Sequence, residues 1–197
     1  MSQSLLYAFL VFVAVMSFTP GPNNVMLTAA GAKFGLRRTV PHILGVSCGF
    51  GVLVAAMCGG LGILFTRWPQ VQGALKWIGA AYLLYLGWQL LRAAGPDTAS
   101  AGKSVTLGEA AMFQFVNPKA WVISVTAATL FLPPQLGQLL ASAYVTSIVT
   151  LVNLPCITVW AVFGSSLGLV LTRPLARRIF NWVMAVALAA TGAMMVA

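Results

Sequence analysis

A chain of 197 residues that is 60% apolar and 7% charged cannot build a water-facing surface, because soluble domains carry about 25% charged residues. The net charge of +9 does not indicate a nucleic-acid partner: the basic residues form no stripe and instead punctuate the ends of oily segments, as topology signals do. Composition therefore excludes a soluble enzyme and indicates an all-α polytopic membrane protein, one domain over 1–197 with short loops and the lipid bilayer as its surroundings.

A spanning helix needs about 20 apolar residues, so the length leaves room for six. The spans are predicted at Leu5–Ala32, Val40–Thr66, Val71–Leu91, Val105–Leu132, Leu136–Leu171 and Leu175–Ala197. Ahead of the first, Met1-Ser2-Gln3-Ser4 lacks a basic region, so no cleavable signal peptide is expected. At the centre of the first span stands Thr19-Pro20-Gly21-Pro22-Asn23-Asn24. Pro20 and Pro22 remove two backbone donors and clash with carbonyls a turn earlier. Gly21 permits unusual backbone angles, and Asn23 and Asn24 are suited to cap the helix that restarts. The restarted half-helix offers free N–H groups and a partial positive charge to a carboxylate. The unwound carbonyls just before it suit an ammonium. A structural kink with asparagines bonding neighbouring helices is the alternative.

The second span opens with Pro41-His42, where an interfacial, hydrogen-bonding histidine is expected. Arg67-Trp68-Pro69 is a tight turn, and Arg92 to Ser104 is the one real loop. The fourth span starts with Thr106-x-x-Glu109, a capping-box pattern. Glu109 is the only acid in any span, which also makes it the candidate proton-coupling carboxylate. At the centre of this span lies a second break, Asn117-Pro118-Lys119, with Gln114 just before it. A cation at that depth costs about 3 kcal/mol unless it faces a cavity or a partner. Lys119 is placed to bind an anionic group, to bind the helix's own exposed carbonyls, or to snorkel to an interface. Pro133-Pro134 ends the span sharply. The fifth carries Asn153-Leu154-Pro155 near its middle, either lining the same cavity or making a packing kink.

Helix breakers at membrane depth free backbone groups that lipid cannot satisfy. A matching pair of them in two halves of a chain points to a transporter's binding site. The halves resemble one unit used twice, about 1–92 and 105–197: Pro22 aligns with Pro118, and Trp77 with Gly87 matches Trp182 with Gly192. Three spans per repeat invert the second copy. Expected substrate-binding residues are Thr19, Asn23, Asn24, Gln114, Asn117, Lys119 and Asn153; expected hinges are Pro20, Gly21, Pro22, Pro118 and Pro155. Glycine pairs four apart, Gly31/Gly35, Gly45/Gly49 and Gly164/Gly168, let helices approach closely, within one protomer or across a homodimer. With the N-terminus outside, cytoplasmic loops carry Lys33, Arg37, Arg38, Arg92, Lys103, Arg173, Arg177 and Arg178 against Arg67 and Lys76 outside. Both termini are therefore predicted outside.

Cys48, Cys58 and Cys156 form no C-x-x-C or metal-ligand spacing, so neither metal nor cofactor is expected. A membrane thiol-redox carrier using Cys48 and Cys156 is one rival. An exporter of a non-amino-acid solute is another. A hydrolase lacks a plausible nucleophile, base and orienting acid.

Thr19-Pro20-Gly21-Pro22-Asn23, the spaced glycines Gly31, Gly35, Gly45 and Gly49, and Asn117-Pro118-Lys119-Ala120-Trp121 resemble the LysE/RhtB family of amino-acid exporters over essentially the whole chain. Phe113-Gln114-Phe115-Val116-Asn117 is similar to the branch containing cysteine and O-acetylserine exporters. The resemblance implies a non-enzymatic exporter of amino acids or close metabolites in the bacterial inner membrane, driven by the proton gradient.

Overall fold

A computed structural model of the chain describes residues 1–61, 67–92, 104–171 and 173–196. Asp97 and Lys103 of the predicted loop, and the predicted second span beyond Leu61, lie outside the described residues. The described residues form eight α-helices: α1 (Gln3–Phe18), α2 (Pro22–Phe34), α3 (Leu36–Ala56), α4 (Pro69–Arg92), α5 (Leu107–Phe113), α6 (Pro118–Leu130), α7 (Gln138–Val170) and α8 (Pro174–Val196). A π-helical turn, Met57–Leu61, extends α3, and a 3-10 turn, Gln114–Val116, joins α5 towards α6.

By length and apolar composition, Leu36–Leu61 and Gln138–Leu169 are each able to cross a membrane, and the α1–α2 pair, bent by 53°, makes a third candidate. Both predicted breaks interrupt helices. Thr19 is extended at the end of α1, Gly21 is extended before α2, and Asn117 is extended between the 3-10 turn and α6. By contrast α7 runs through Pro155 as one helix. The second span holds a further break, beyond the two that proline marks in the sequence, where Gly60 takes φ 105°. Gln138 reaches it from α7 and its side-chain amide donates to the Cys58 carbonyl.

Backbone contact sets the helix arrangement. A Cβ on Gly164 would overlap the Thr28 carbonyl, one on Gly168 the Ala32 carbonyl, and one on Gly31 would lie 2.9 Å from the Ser165 nitrogen. These contacts seat α2 against α7. Gly45 and Gly49 do the same for α3 against α5, where a Cβ would come within 2.8 Å of Ala110 Cβ or the Ala111 backbone. The predicted glycine pairs thus join helices inside one chain, with one exception. Gly35 meets nothing within 4 Å and has φ 76°, so it makes the left-handed corner between α2 and α3. Farther out, α4 and α8 meet reciprocally, Gly87 facing Ala185 and Gly192 facing Ala80.

One apolar cluster unites α1, α3, α6 and α7 beneath the breaks, with Phe9 stacked on Phe131 at 4.6 Å between ring centroids. His42 departs from its expected interfacial role. It is fully buried and neither ring nitrogen has a hydrogen-bond partner, because Pro41-His42 lies inside α3 rather than at its edge.

Because Gly164 touches backbone, a larger side chain there forces α2 and α7 apart, and overpacking costs about 1–3 kcal/mol. Gly164→Leu is expected to lower the thermal unfolding midpoint of detergent-solubilised protein by several degrees. Gly108→Ala, where nothing lies within 4 Å, should leave it unchanged or raise it.

Candidate functional site

Elementary helix geometry leaves the last carbonyls of α1 and the first N–H groups of α2 without partners inside their own helices. Each carbonyl from Val15 to Gly21 is nonetheless bonded. Thr19 N–H takes Val15 O at 2.9 Å, and the Thr19 hydroxyl donates to Met16 O at 3.0 Å. Asn24 Nδ2 donates to Ser17 O at 3.0 Å and to Thr19 O at 2.8 Å. Trp160 Nε1, from α7, donates to Phe18 O at 3.2 Å. Lys119 Nζ donates to Thr19 O and, at 3.4 Å, to Pro20 O. Val25 N–H closes on Gly21 O at 3.0 Å.

This accounting corrects the expected caps. α2 begins at Pro22 with Gly21 as N-cap and no side-chain cap. Asn23 and Asn24 therefore fall in its first turn, where they face other partners. Asn24 is buried and bonds back across the break. Asn23 Nδ2 donates to Gln114 Oε1 at 2.8 Å, and Gln114 Nε2 returns a bond to Asn23 Oδ1 at 3.2 Å. Gln114 Nε2 also donates to Ala110 O at 2.9 Å. A reciprocal amide clasp thus joins the two breaks across 91 residues of sequence.

At the second break Asn117 is a true N-cap, its Oδ1 accepting from Lys119 N–H at 3.1 Å. Lys119 does not snorkel away. Its side chain crosses to the first break and its ammonium sits on the oxygens of Thr19 and Pro20. The carbonyls it finds belong to the other broken helix, not to its own.

The two breaks face one cavity of about 30 Å³. Gly21, Pro22, Asn23 and Asn24 line it from the first break, and Gln114, Asn117 and Lys119 from the second. Asn153 closes the α7 side, with Ser17 beside it. A void of roughly 150 Å³ holds a benzene-sized guest, so this one admits water but no amino acid until a side chain moves. Asn153 Nδ2 donates to Ser17 Oγ at 3.0 Å, while its buried Oδ1 has no hydrogen-bond partner. Two helix N-termini, α2 and α6, end at the same cavity, each carrying a partial positive charge.

Of the residues expected at the site, Thr19 contributes both its oxygens to Lys119 without lining the cavity. Pro155 and Glu109 lie away from the cavity lining. Glu109 is exposed and closes the expected capping box: Thr106 N–H donates to Oε2 at 2.8 Å and Glu109 N–H to Thr106 Oγ1 at 3.2 Å. Ser17 and Trp160 were not singled out from the sequence. Ser17 left a signal, a lone hydroxyl one turn before the break in an apolar run; Trp160 left none. The three cysteines are free thiols, none of them lines the cavity, and no cluster of metal-ligating side chains occurs among the described residues.

Asn24 holds two carbonyls of the break, and orphaning a buried polar group costs about 1–3 kcal/mol. Asn24→Ala is expected to destabilise the protein by that amount, read as a lowered midpoint in thermal or denaturant unfolding, with Asn24→Gln restoring little because its extra methylene carries the amide past the two oxygens.

The family model for LysE type translocators matches residues 14–197. The chain is 33% identical to the cysteine/O-acetylserine efflux protein of Salmonella typhimurium and 31% identical to that of Escherichia coli strain K12. Each alignment covers 136 residues, 68% of this chain and 69% of the relative. No solved structure matches the chain significantly.

Proposed function

This chain belongs to the LysE type translocator family, and from that premise we propose that it exports small polar amino acids through the cavity between its two breaks. It is an amino-acid-type exporter by family. The relatives named for cysteine and O-acetylserine efflux make those compounds the substrates to try first. The observation that carries the reading is the cavity itself, where amides from both breaks converge and two helix N-termini end. Helix N-termini are anion sites, so the substrate carboxylate is assigned to the first turns of α2 and α6. Asn23, Asn24, Gln114, Asn117 and Asn153 orient the remainder.

The architecture we propose is six spans in two inverted three-helix repeats: α1–α2, α3 with its π turn, and α4; then α5–α6, α7 and α8. Reciprocal packing supports it. Gly87 faces Ala185 and Gly192 faces Ala80; Gly192 stands 105 positions after Gly87, and Ala185 the same 105 after Ala80. A two-fold axis between α4 and α8 accounts for both contacts at once. Inverted repeats around a midplane site operate by alternating access, with Pro20, Gly21, Pro22 and Pro118 as the hinges of the two broken helices. The loop-charge asymmetry puts both termini outside the bacterial inner membrane.

A solute without a carboxylate leaves the paired helix N-termini without a task, and a thiol carrier finds no cysteine at the cavity. Both rivals are weaker for that reason.

Asn23→Ala removes the amide clasp with Gln114 while leaving the α1 carbonyls bonded. A loss of about 1.4 kcal/mol corresponds to about tenfold in an equilibrium constant, so export should fall by at least that factor with membrane insertion intact. Efflux of cysteine or O-acetylserine from loaded vesicles measures it; an undiminished rate from the variant refutes the assignment.

A further inference from the structure

Lys119 starts just behind Pro118 at the N-terminus of α6, where the helix's own partial charge is positive. A cation gains nothing from that end. Its side chain instead runs across the gap to the first break, and Gly21 makes the crossing feasible: a Cβ there would stand 2.8 Å from Lys119 Cδ and 3.1 Å from Nζ. The ammonium arrives at three oxygens, the Thr19 carbonyl, the Thr19 hydroxyl at 3.0 Å and the Pro20 carbonyl at 3.4 Å. A primary ammonium has three N–H donors and no acceptor, so the three oxygens form a complementary tripod. The Thr19 hydroxyl can accept because its own proton goes to Met16 O. Proline at position 20 has no N–H to obstruct the approach, and its carbonyl has no other donor among the hydrogen bonds of the break.

The α-ammonium of an amino acid presents the same three donors. We propose that this tripod is the subsite for the substrate's primary ammonium, and that Lys119 is its resident competitor, holding the cavity closed while no substrate is present. The inference rests on the amino-acid exporter reading and adds to it the group that is displaced. When the substrate ammonium enters, Lys119 leaves the tripod, so the oxygens are never stripped of a cation inside the membrane. Thr19 and Pro20 stand beside the cavity rather than in its lining, and Lys119, which does line it, joins the two, so its withdrawal also enlarges a cavity that, at about 30 Å³, is too small for an amino acid. One of the two links between the breaks is thereby cut at the moment the substrate binds, the Asn23–Gln114 clasp being the other. Selectivity follows from the tripod's shape: primary ammonium groups fit, and N-acylated amino acids, whose nitrogen has one N–H and no charge, do not.

The test compares wild type with Lys119→Met and with Lys119→Gln, both neutral and without the ammonium that fills the tripod. Each is purified in nanodiscs and checked for unchanged thermal unfolding in at least one of the two variants. Binding is titrated with O-acetylserine and with its N-acetylated form, alongside efflux of O-acetylserine from vesicles. If the tripod is free in about a tenth of wild-type molecules, removing the competitor tightens apparent binding about tenfold. The expected result is tighter O-acetylserine binding in the variants, loss of vectorial export, and no binding of the N-acetylated form by any of the three proteins. Weaker binding in both variants makes Lys119 a direct substrate ligand and overturns the competitor role. Equal binding of the N-acetylated form overturns the ammonium subsite. A wild type that moves neither cysteine nor O-acetylserine rejects the exporter reading for those substrates, a result separate from the other two.

Discussion

Backbone polar groups released inside a bilayer must be bonded by the protein, because hydrocarbon offers them nothing. The whole arrangement of this molecule around its first break follows from that requirement. Seven consecutive carbonyls, from Val15 to Gly21, find donors in an amide, an indole, a hydroxyl, an ammonium and two backbone N–H groups. Those donors come from three different helices. The break is therefore a junction at which α1, α2, α6 and α7 are held together by polar contacts.

Such contacts require the helices to be close, and the small residues make them so. Gly31, Gly164 and Gly168 let α2 and α7 touch backbone to backbone, while Gly45 and Gly49 admit α5 against α3. Apolar side chains gain little by leaving lipid for another apolar surface, so close fit and polar bonding carry helix association in membranes. Here the two are linked in space. The glycine contact of α2 with α7 brings Trp160 to the end of α1, and the contact of α3 with α5 places Gln114 opposite Asn23.

The cavity that results has an unusual division of charge. Two helix N-termini supply partial positive charge, and the carbonyls at the end of α1 supply partial negative charge beside them. A zwitterion matches that pattern at both ends, and the ammonium of Lys119 already matches it at one. The polar groups here are satisfied by one another across the two broken helices and α7. Asn153 Oδ1, buried and unbonded, is the acceptor in this cluster without a donor.

Much of this was legible in the sequence for plain reasons. Proline and glycine act on the backbone locally, so Thr19 to Pro22 and Asn117-Pro118 marked the two interruptions without any knowledge of neighbours. The capping box of Thr106 and Glu109 is likewise a contact across three residues, and it formed as its pattern dictates. Long-range partners were another matter. Asn23 and Asn24 were expected to cap a helix, yet one bonds Gln114 and the other turns back on α1; a side-chain amide serves either purpose equally well, and only its surroundings choose. Gly35 looked like half of a packing pair and is a corner. His42 looked interfacial and is buried. The sequence by itself determined where the rods break, since that depends on residues adjacent in the chain. Tertiary structure alone decided that Lys119 of one break rests on the oxygens of the other, because a flexible four-carbon arm takes whichever acceptors the packing of separate helices brings within its reach.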